Sequence, residues 1–279
     1  MFIFVVTIKK KENTPMEIKS PNQVIESVLA AGTKKVRLTS GGNNCKMIIS
    51  TMLAGAYIAL GGILSVIIGY GFPEITANNP GMQKILSGAM FPIGLILVVV
   101  LGAELFTGNN AVLIPGYMRK DYNFISVIKN WCIVYLGNFA GAVIFTYFMV
   151  YLCGLTASGP YHDAIIKIAE TKVSMPWHVV FLKGIGANWC VCAAVWLAIS
   201  GHSLTDKMAG CWLPVMAFVA LGYEHCIANM FFIPAGMLEG ANISVTEAIC
   251  NNLIPSTLGN IAGGSLLVGW IHAYLHLKK

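Results

Sequence analysis

Long uncharged stretches alternate along the chain with short segments that carry nearly all of its charged residues. A helix needs about 20 apolar residues to cross the hydrocarbon core of a bilayer, so the pattern predicts an all-α membrane protein with six transmembrane helices. The uncharged stretches are residues 47–70, 85–103, 130–161, 184–205, 208–223 and 248–277. The apolar segment 225–238 is too short to cross alone, and we interpret it as the second half of an interrupted fifth helix.

Two sequence motifs recur about 120 residues apart and indicate an internal duplication. The first motif is Gly-x-Glu-x-x-x-x-Asn, and the second is Gly-Asn-x-Ala-Gly. The first lies at 102–109 and 222–229, and the second at 137–141 and 259–263. The copies divide the chain into halves of three helices each, at about 47–161 and 173–279. Because each half has an odd number of helices, the second half must be inverted in the membrane relative to the first.

The first motif also predicts where two helices are interrupted. Backbone groups freed by a break at membrane depth are costly unless polar side chains or a cavity satisfy them. We therefore expect helices two and five to be broken near 105–109 and 225–229, with Pro115 and Pro234 limiting the short helices that follow. We interpret the duplicated polar residues mainly as caps of the broken helices. They are Glu104, Asn109, Glu224 and Asn229.

His225 breaks the symmetry of the duplication, since Leu105 occupies the corresponding position in the first half. An interrupted helix therefore does not require a histidine at this place. Imidazole titrates near neutral pH, and at the membrane midplane it can donate a hydrogen bond to an anion or exchange a proton. Ionisable residues inside membranes are rare and usually functional, so we predict that His225 takes part in transport.

The composition agrees with a membrane protein, for which the lipid bilayer is an expected partner. Hydrophobic residues make up 56% of the chain and charged residues 11%, against about 25% charged in a typical soluble domain. Lysine and arginine are concentrated before the first predicted helix and after the second, which predicts that both termini face the cytoplasm. The basic residues form no patch interleaved with aromatic residues, so nucleic acid is not an expected partner.

The cysteines predict neither a cofactor nor a metal site. The 8 cysteines have no disulfide-framework spacing, and most lie inside apolar stretches, where a thiol behaves as a small apolar group. Cys190 and Cys192 point to different faces of a helix, and no cluster of histidines or carboxylates completes a metal site.

The N-terminal region is expected to form two parts ahead of a channel domain at 47–279. Residues 1–19 are expected to be dispensable or disordered. Residues 20–46 are expected to form an amphipathic helix at the cytoplasmic surface, capped by Ser20 and with Pro21 at its first position.

The chain resembles the formate/nitrite transporter family in several separated blocks between about residues 20 and 277. The blocks are Ala-Gly-Ala-Tyr-Ile at 54–58, Gly-Ala-Glu-Leu-Phe-Thr at 102–107, Asn-Trp-Cys-Val-Cys at 188–192 with Ala-Val-Trp at 194–196, Gly-Tyr-Glu-His-Cys-Ile-Ala-Asn-Met at 222–230 with Ile-Pro at 233–234, and Gly-Asn-Ile at 259–261. The resemblance implies a homopentamer of aquaporin-like six-helix protomers, each with its own pore.

The same resemblance implies roles for particular side chains. His225, Thr107 and Lys172 match the substrate pathway, with His225 at its centre, Thr107 beside it and Lys172 in the outer vestibule. From the residues alone, Lys172 is an ordinary loop charge. The positions matching two apolar constrictions are Phe91, Leu95, Leu105, Phe106, Val191 and Phe218. The polar supports are Asn188, Glu224 and Asn229, together with Glu104 and Asn109, which the duplication pairs with the last two.

We therefore expect a channel or transporter, and not an enzyme, in the inner (plasma) membrane. Its expected substrates are small monovalent anions of weak acids: formate, nitrite or hydrosulfide. Lys172 would attract the anion, and the constrictions would reject it until a proton from His225 or from nearby water makes it neutral. Proton symport and channel-like anion flux both stay open.

Three alternatives compete with anion transport. A purely structural membrane protein is one of them, but it would not need the unsymmetrical His225. A neutral-solute channel of the aquaporin type also has six inverted helices, but its paired Asn-Pro-Ala motifs do not occur in this chain. An intramembrane enzyme would use His225, Glu224 and Cys226, but no second carboxylate or metal signature completes such a site.

Overall fold

The computed structural model describes residues 18–41 and 44–277, and within them every regular element is helical. The α-helices are α1 Pro21–Ser40, α2 Asn44–Tyr70, α3 Pro73–Thr76, α4 Pro80–Met90, α5 Ile93–Leu101, α6 Phe106–Val112, α7 Ile114–Met118, α8 Phe124–Phe145, α9 Pro160–Ser174, α10 Trp177–Ser200, α11 Leu204–Ala220, α12 Cys226–Leu238, α13 Val245–Glu247, α14 Ile254–Ala262 and α15 Ile271–His276. Three segments have π-helical hydrogen bonding: Thr146–Tyr151 continues α8, Ala248–Leu253 joins α13 to α14, and Gly263–Trp270 joins α14 to α15. Residues 1–17, most of the segment expected to be dispensable, lie outside the described residues.

Four helical segments of the described chain are long and apolar enough to cross a membrane. They are Cys45–Tyr70, Pro80–Leu101, Phe124–Tyr151 and Trp177–Ser200. The third begins and ends earlier than the uncharged stretch 130–161. Gly154 and Gly159 both have positive φ angles and interrupt helical structure after residue 151, so absence of charge overestimates how far the helix extends.

The two interruptions expected from the Gly-x-Glu motif occur at equivalent places, but they lie at 102–105 and 222–225, because residues 106–109 and 226–229, expected to be non-helical, already belong to the short helices. Helix α5 ends before Gly102, whose φ of 75° is left-handed, and α6 begins after the extended residue Leu105. In the second half, Gly222 has a φ of 69°, and α12 begins after the extended residue His225. Only glycine adopts such a positive φ without strain, which explains the glycine that opens each motif.

The expectation that Pro234 limits the second short helix is wrong. Pro234 lies inside α12, which continues to Leu238. A proline removes one backbone donor, and transmembrane helices tolerate that loss when neighbouring groups satisfy the freed carbonyl. Pro115 instead occupies the first turn of α7, where a proline loses no intrahelical bond.

Glycines bring equivalent helix pairs of the two halves into close contact. A Cβ atom on Gly141 would collide with the backbone carbonyl of Met52, which holds α8 against α2. A Cβ on Gly263 would likewise collide with the carbonyl of Ile185, between the last helical segment and α10. Small residues allow this backbone approach in membranes, so the second sequence motif specifies helix packing.

Helix α1 packs against α6, α7, α8 and α10. Ser20 and Gln23 form a capping box at its start, and Val28 and Leu29 lie on its buried face. A Cβ on Gly32 would come within 2.7 Å of the hydroxyl oxygen of Tyr122 and within 2.9 Å of a backbone carbonyl of α6. This close contact sets the position of α1 against α6 and the segment before α8.

Candidate functional site

Two cavities approach each other from opposite sides of the paired helix breaks. The first, called here the Lys172 vestibule, has a volume of about 210 Å³ and is lined by Phe91, Lys172, Phe218, Glu224 and His225 among others. The second, the Lys35 vestibule, has a volume of about 240 Å³ and is lined by Lys35, Leu95, Glu104, Leu105 and Gly108 among others. Each break thus opens onto a cavity with a lysine at its wall.

His225 and Thr107 meet where the two breaks come together. The distance between His225 Nε2 and Thr107 Oγ1 is 2.9 Å, and both side chains are buried. His225 is also the N-cap of α12, because its Nδ1 accepts a hydrogen bond from the backbone N–H of Ala228 at 3.1 Å. An Nδ1 that accepts carries no hydrogen, so the neutral ring has its hydrogen on Nε2 and donates to Thr107.

Lys172 lies in the last turn of α9, rather than in a loop as its sequence context indicated. Its Nζ donates to Glu224 Oε1 at 2.9 Å, and its side chain is 13% exposed. The ammonium group also lies 5.4 Å from the ring centroid of Phe232. Gly159 and Pro160, at the start of this helix, are the sequence signals that could have identified it.

A polar quartet surrounds this ion pair, and we call it the Lys172 quartet: Lys172, Glu224, Asn229 and Asn252. Asn229 Nδ2 donates to Glu224 Oε2 at 2.7 Å and to Asn252 Oδ1 at 2.6 Å. Asn252 Nδ2 donates to the same carboxylate oxygen at 3.0 Å and to the backbone carbonyl of Lys172 at 2.9 Å. The carboxylate therefore has three polar partners in a buried site.

The Lys35 quartet repeats this arrangement with Lys35, Glu104, Asn109 and Asn130. Lys35 Nζ donates to Glu104 Oε2 at 2.8 Å. Asn109 Nδ2 donates to that oxygen at 3.0 Å and to Asn130 Oδ1 at 2.9 Å, while Asn130 Nδ2 donates to the carbonyl of Lys35 at 3.3 Å. Sequence reasoning missed Lys35, Asn130 and Asn252. The two asparagines are separated along the chain by the same number of residues as the two copies of the second motif, which is the signal that could have identified them.

The capping role expected of the motif glutamates and asparagines is carried by two other residues. Asn138 Oδ1 accepts the backbone N–H of Phe106 at 2.9 Å, and Asn260 Oδ1 accepts that of Cys226 at 2.8 Å. Each amide nitrogen also donates to two backbone carbonyls, one of them that of the motif glutamate. These asparagines belong to the Gly-Asn-x-Ala-Gly motif, so the duplication contained the signal.

Asn188 connects the backbone of Thr107 to that of Asn260 in the second half. Its Nδ2 lies 3.2 Å from the carbonyl oxygen of Thr107 and 2.7 Å from that of Asn260. The same nitrogen lies 3.1 Å from Asn110 Oδ1. Asn188 therefore holds the backbone that presents the Thr107 hydroxyl.

The six residues assigned to apolar constrictions are all buried, but they do not occupy equivalent places. Phe91 and Phe218 line the Lys172 vestibule, with ring centroids 5.7 Å apart. Leu95 and Leu105 line the Lys35 vestibule. Phe106 packs instead against Tyr135, with centroids 5.0 Å apart, and Val191 lies in the core. Neither of these two lines the cavities described above.

Within residues 18–41 and 44–277, no group of three or more histidine, cysteine, aspartate or glutamate side chains is placed to hold a metal ion. The polar groups at the breaks bind one another and backbone atoms. The groups of the site able to bind a solute are therefore the lysine ammonium groups, a hydroxyl and an imidazole.

The site residues fall within a region that matches a known family model. Residues 22–274 match the model described as "Formate/nitrite transporter". A relative in Methanothermobacter thermautotrophicus named "Probable formate transporter" is 38% identical over 276 residues, which cover 94% of this chain and 98% of the relative.

Two solved structures have the same fold. One is an FNT family ion channel, which aligns with a TM-score of 0.82 at 29% identity and covers 90% of this chain and 98% of its own. The other is a pentameric formate channel with formate bound, with a TM-score of 0.72 at 33% identity over 85% of this chain and 98% of its own.

Proposed function

The chain belongs to the formate/nitrite transporter family, a family of membrane channels and transporters of small anions rather than of enzymes, and from this premise we propose that it conducts formate. Nitrite and hydrosulfide are the other candidate anions. The observation that carries the proposal is the His225–Thr107 pair between two lysine-lined vestibules. Formate is preferred because a relative and a similar structure are named for it.

We propose six transmembrane segments arranged as two inverted halves of three. Segments two and five are the broken ones, α4–α5 with α6–α7 and α11 with α12, and the sixth runs from residue 248 to His276. The near-identical bonding of the two quartets supports the inversion. The lysine and arginine distribution supports cytoplasmic termini. The pentameric state of the similar formate channel supports a homopentamer.

Each vestibule lysine can bind an anion while remaining paired with its glutamate. Lys172 makes one hydrogen bond to a side chain of the described residues, and so does Lys35. An ammonium group has three donor hydrogens, so hydrogens remain for a carboxylate in the vestibule. A low-dielectric wall around such a charge raises the local concentration of anions. Anion attraction therefore operates from both ends of the pathway.

The buried apolar residues between the vestibules oppose passage of a bare charge, because an unpaired ion in such surroundings costs many kcal/mol. A weak-acid anion avoids this cost if it gains a proton. His225 can give up a proton only from its doubly protonated form, and protonation at Nδ1 would break its bond to the Ala228 N–H. We therefore propose that water in the vestibule supplies the proton, and that the hydroxide left behind is neutralised by a proton from the bulk solvent.

In this mechanism His225 works as a neutral hydrogen-bond donor. Its Nε2–H binds Thr107 Oγ1, which leaves the hydroxyl hydrogen of Thr107 directed to another acceptor. A carboxyl oxygen of the solute is that acceptor during passage. The neutral acid thus crosses the break with one hydrogen bond from the protein.

Flux measurements in proteoliposomes test this function. We expect rapid formate uptake that rises as the external pH falls, with lower rates in Lys172→Met and in His225→Asn, which keeps an N-cap acceptor without the ring. Lys167→Met is the matched control, because Lys167 is an exposed residue of the same helix. If the first two variants transport formate at the wild-type rate and with the wild-type pH dependence, the pore assignment is wrong.

Osmotic swelling separates the neutral-solute alternative. A channel of that type would pass water or glycerol faster than formate in the same vesicles. The family match and both lysine-lined vestibules favour the anion.

A further inference from the structure

A further cleft opens beside the Lys35 vestibule, between α1 and the turn that follows α7. It has a volume of about 560 Å³, and its polar lining consists of Glu26, Thr33, Lys34, Arg37 and Arg119. We call it the α1 cleft. Lys34 lines both the α1 cleft and the Lys35 vestibule, so a single side chain connects the two spaces.

The α1 cleft contains two cations that have no acidic partner among residues 18–41 and 44–277. Lys34 and Arg37 are three positions apart on one helix, so they are neighbours on the same face. Neither forms an ion pair within the described part of the chain. Arg119 differs, because its guanidinium binds Asp121 at 2.8 Å and lies 3.6 Å from Glu26. The free positive charge of the cleft therefore comes from α1.

The position of the cleft relative to the pore is set by close packing. Gly32 allows α1 to contact Tyr122, whose hydroxyl donates to the carbonyl of Leu113 at 2.9 Å. On the inner side of the same helix, Lys35 binds Glu104 at 2.8 Å. The helix that carries the free cations is thus joined directly to the Lys35 vestibule.

We propose that the α1 cleft is a collecting site for the transported anion. A small monovalent carboxylate binds between Lys34 and Arg37, and Lys34 passes it to the Lys35 vestibule. The inference rests on the proposed function and adds a site at the mouth of its pathway. Two neighbouring cations with no acidic partner in the described part of the chain raise the local concentration of anions, and this effect weakens as salt screens the charges.

Formate flux as a function of ionic strength tests the proposal. The variant is Lys34→Gln with Arg37→Gln, in proteoliposomes loaded so that formate enters from the α1 side. At about 10 mM salt we expect the half-saturating formate concentration to rise roughly threefold to tenfold, with an unchanged maximal rate. At about 500 mM salt the difference from wild type should fall below roughly twofold, because the Debye length is then only a few ångströms.

The matched control is Lys46→Gln with Lys129→Gln. It removes the same charge from two exposed lysines that line neither cleft nor vestibule, and it should behave as wild type. The proposal is overturned if the control shifts as much as the cleft variant, if the cleft variant equals wild type at low salt, or if its deficit persists at high salt.

A binding measurement keeps this test separate from the proposed function. If the wild type carries no formate flux, the proposed function fails, and line broadening of 13C-formate by the chain in nanodiscs then decides the site. Less broadening with the cleft variant than with the control supports the α1 cleft. Equal broadening with both rejects it.

Discussion

Replacing Lys35 by methionine should destabilise the protein through the carboxylate that it leaves behind. The Lys35 and Glu104 side chains are 19% and 8% exposed, and Nζ lies 2.8 Å from Oε2. Methionine keeps most of the length of lysine but has no charge. Among the described residues, Glu104 would then retain only Asn109 as a side-chain donor, in a position from which water is largely excluded.

The size of the effect follows from the distance and the burial. Two unit charges at 2.8 Å attract by about 6 kcal/mol at an effective dielectric constant of about 20. Desolvation of both groups offsets much of this, and removing one partner of a buried pair costs about 3–5 kcal/mol. Because the lysine retains some exposure, we expect a loss of about 2–3 kcal/mol, which corresponds to a melting temperature lower by roughly 5–10 °C.

Thermal unfolding of the purified chain in one detergent measures the loss. Lys34→Met is the control, since Lys34 is an exposed neighbour on the same helix, and it should change the melting temperature little. The double variant Lys35→Met with Glu104→Gln should recover most of the loss, because no carboxylate stays buried without a cation. A melting temperature of Lys35→Met within about 1 °C of wild type would refute the reasoning.

Three further predictions concern the helix breaks and one cap. Asn260→Leu leaves three backbone groups without their side-chain partner and should lower the free energy of unfolding by about 3 kcal/mol or more. The loss should appear as a lowered or missing melting transition, and an unchanged transition would contradict the capping role. Thr107→Val should lower formate flux roughly tenfold, the equivalent of one hydrogen bond, whereas Thr107→Ser, which keeps the hydroxyl, should have the wild-type flux. Equal flux in the two variants would contradict a role of the hydroxyl in transport. The hydrogen bonds from the Ser244 side chain and backbone lower the pKa of Glu247 below its usual value. The cap is therefore fully stable above the usual pKa of glutamate and is lost as the pH falls through the lowered pKa. Hydrogen exchange around residue 245, corrected for its intrinsic pH dependence, should show this loss in wild type but not in Glu247→Gln.

Much of the site could be predicted because it is duplicated in the sequence. The glycines at 102 and 222 mark the breaks, and the Asn138 and Asn260 motifs mark the side chains that cap them. What the motifs did not reveal was the partner of each residue. The motifs predict Glu104 and Glu224 as caps, because a cap and an ion-pair partner look alike in a single sequence. In the structure their carboxylates bind lysines instead.

The His225–Thr107 pair also shows the limit of sequence reasoning. The mismatch between Leu105 and His225 indicates that the histidine has its own role. Only the structure places its Nδ1 on a backbone N–H and its Nε2 on Thr107, 118 positions away. Those partners determine which ring nitrogen of neutral His225 carries the hydrogen.

By itself, the sequence determined the membrane environment, the duplicated motifs and the presence of a break at each Gly-x-Glu motif, because hydrophobic length and glycine conformation are local properties. Only the tertiary structure decided that Lys35 and Lys172 are equivalent. They lie on α1 and α9, ahead of and between the repeated halves, and bind glutamates 69 and 52 positions away. A buried carboxylate needs a cation, but which helix supplies it is decided by packing, and no spacing along the chain records that contact.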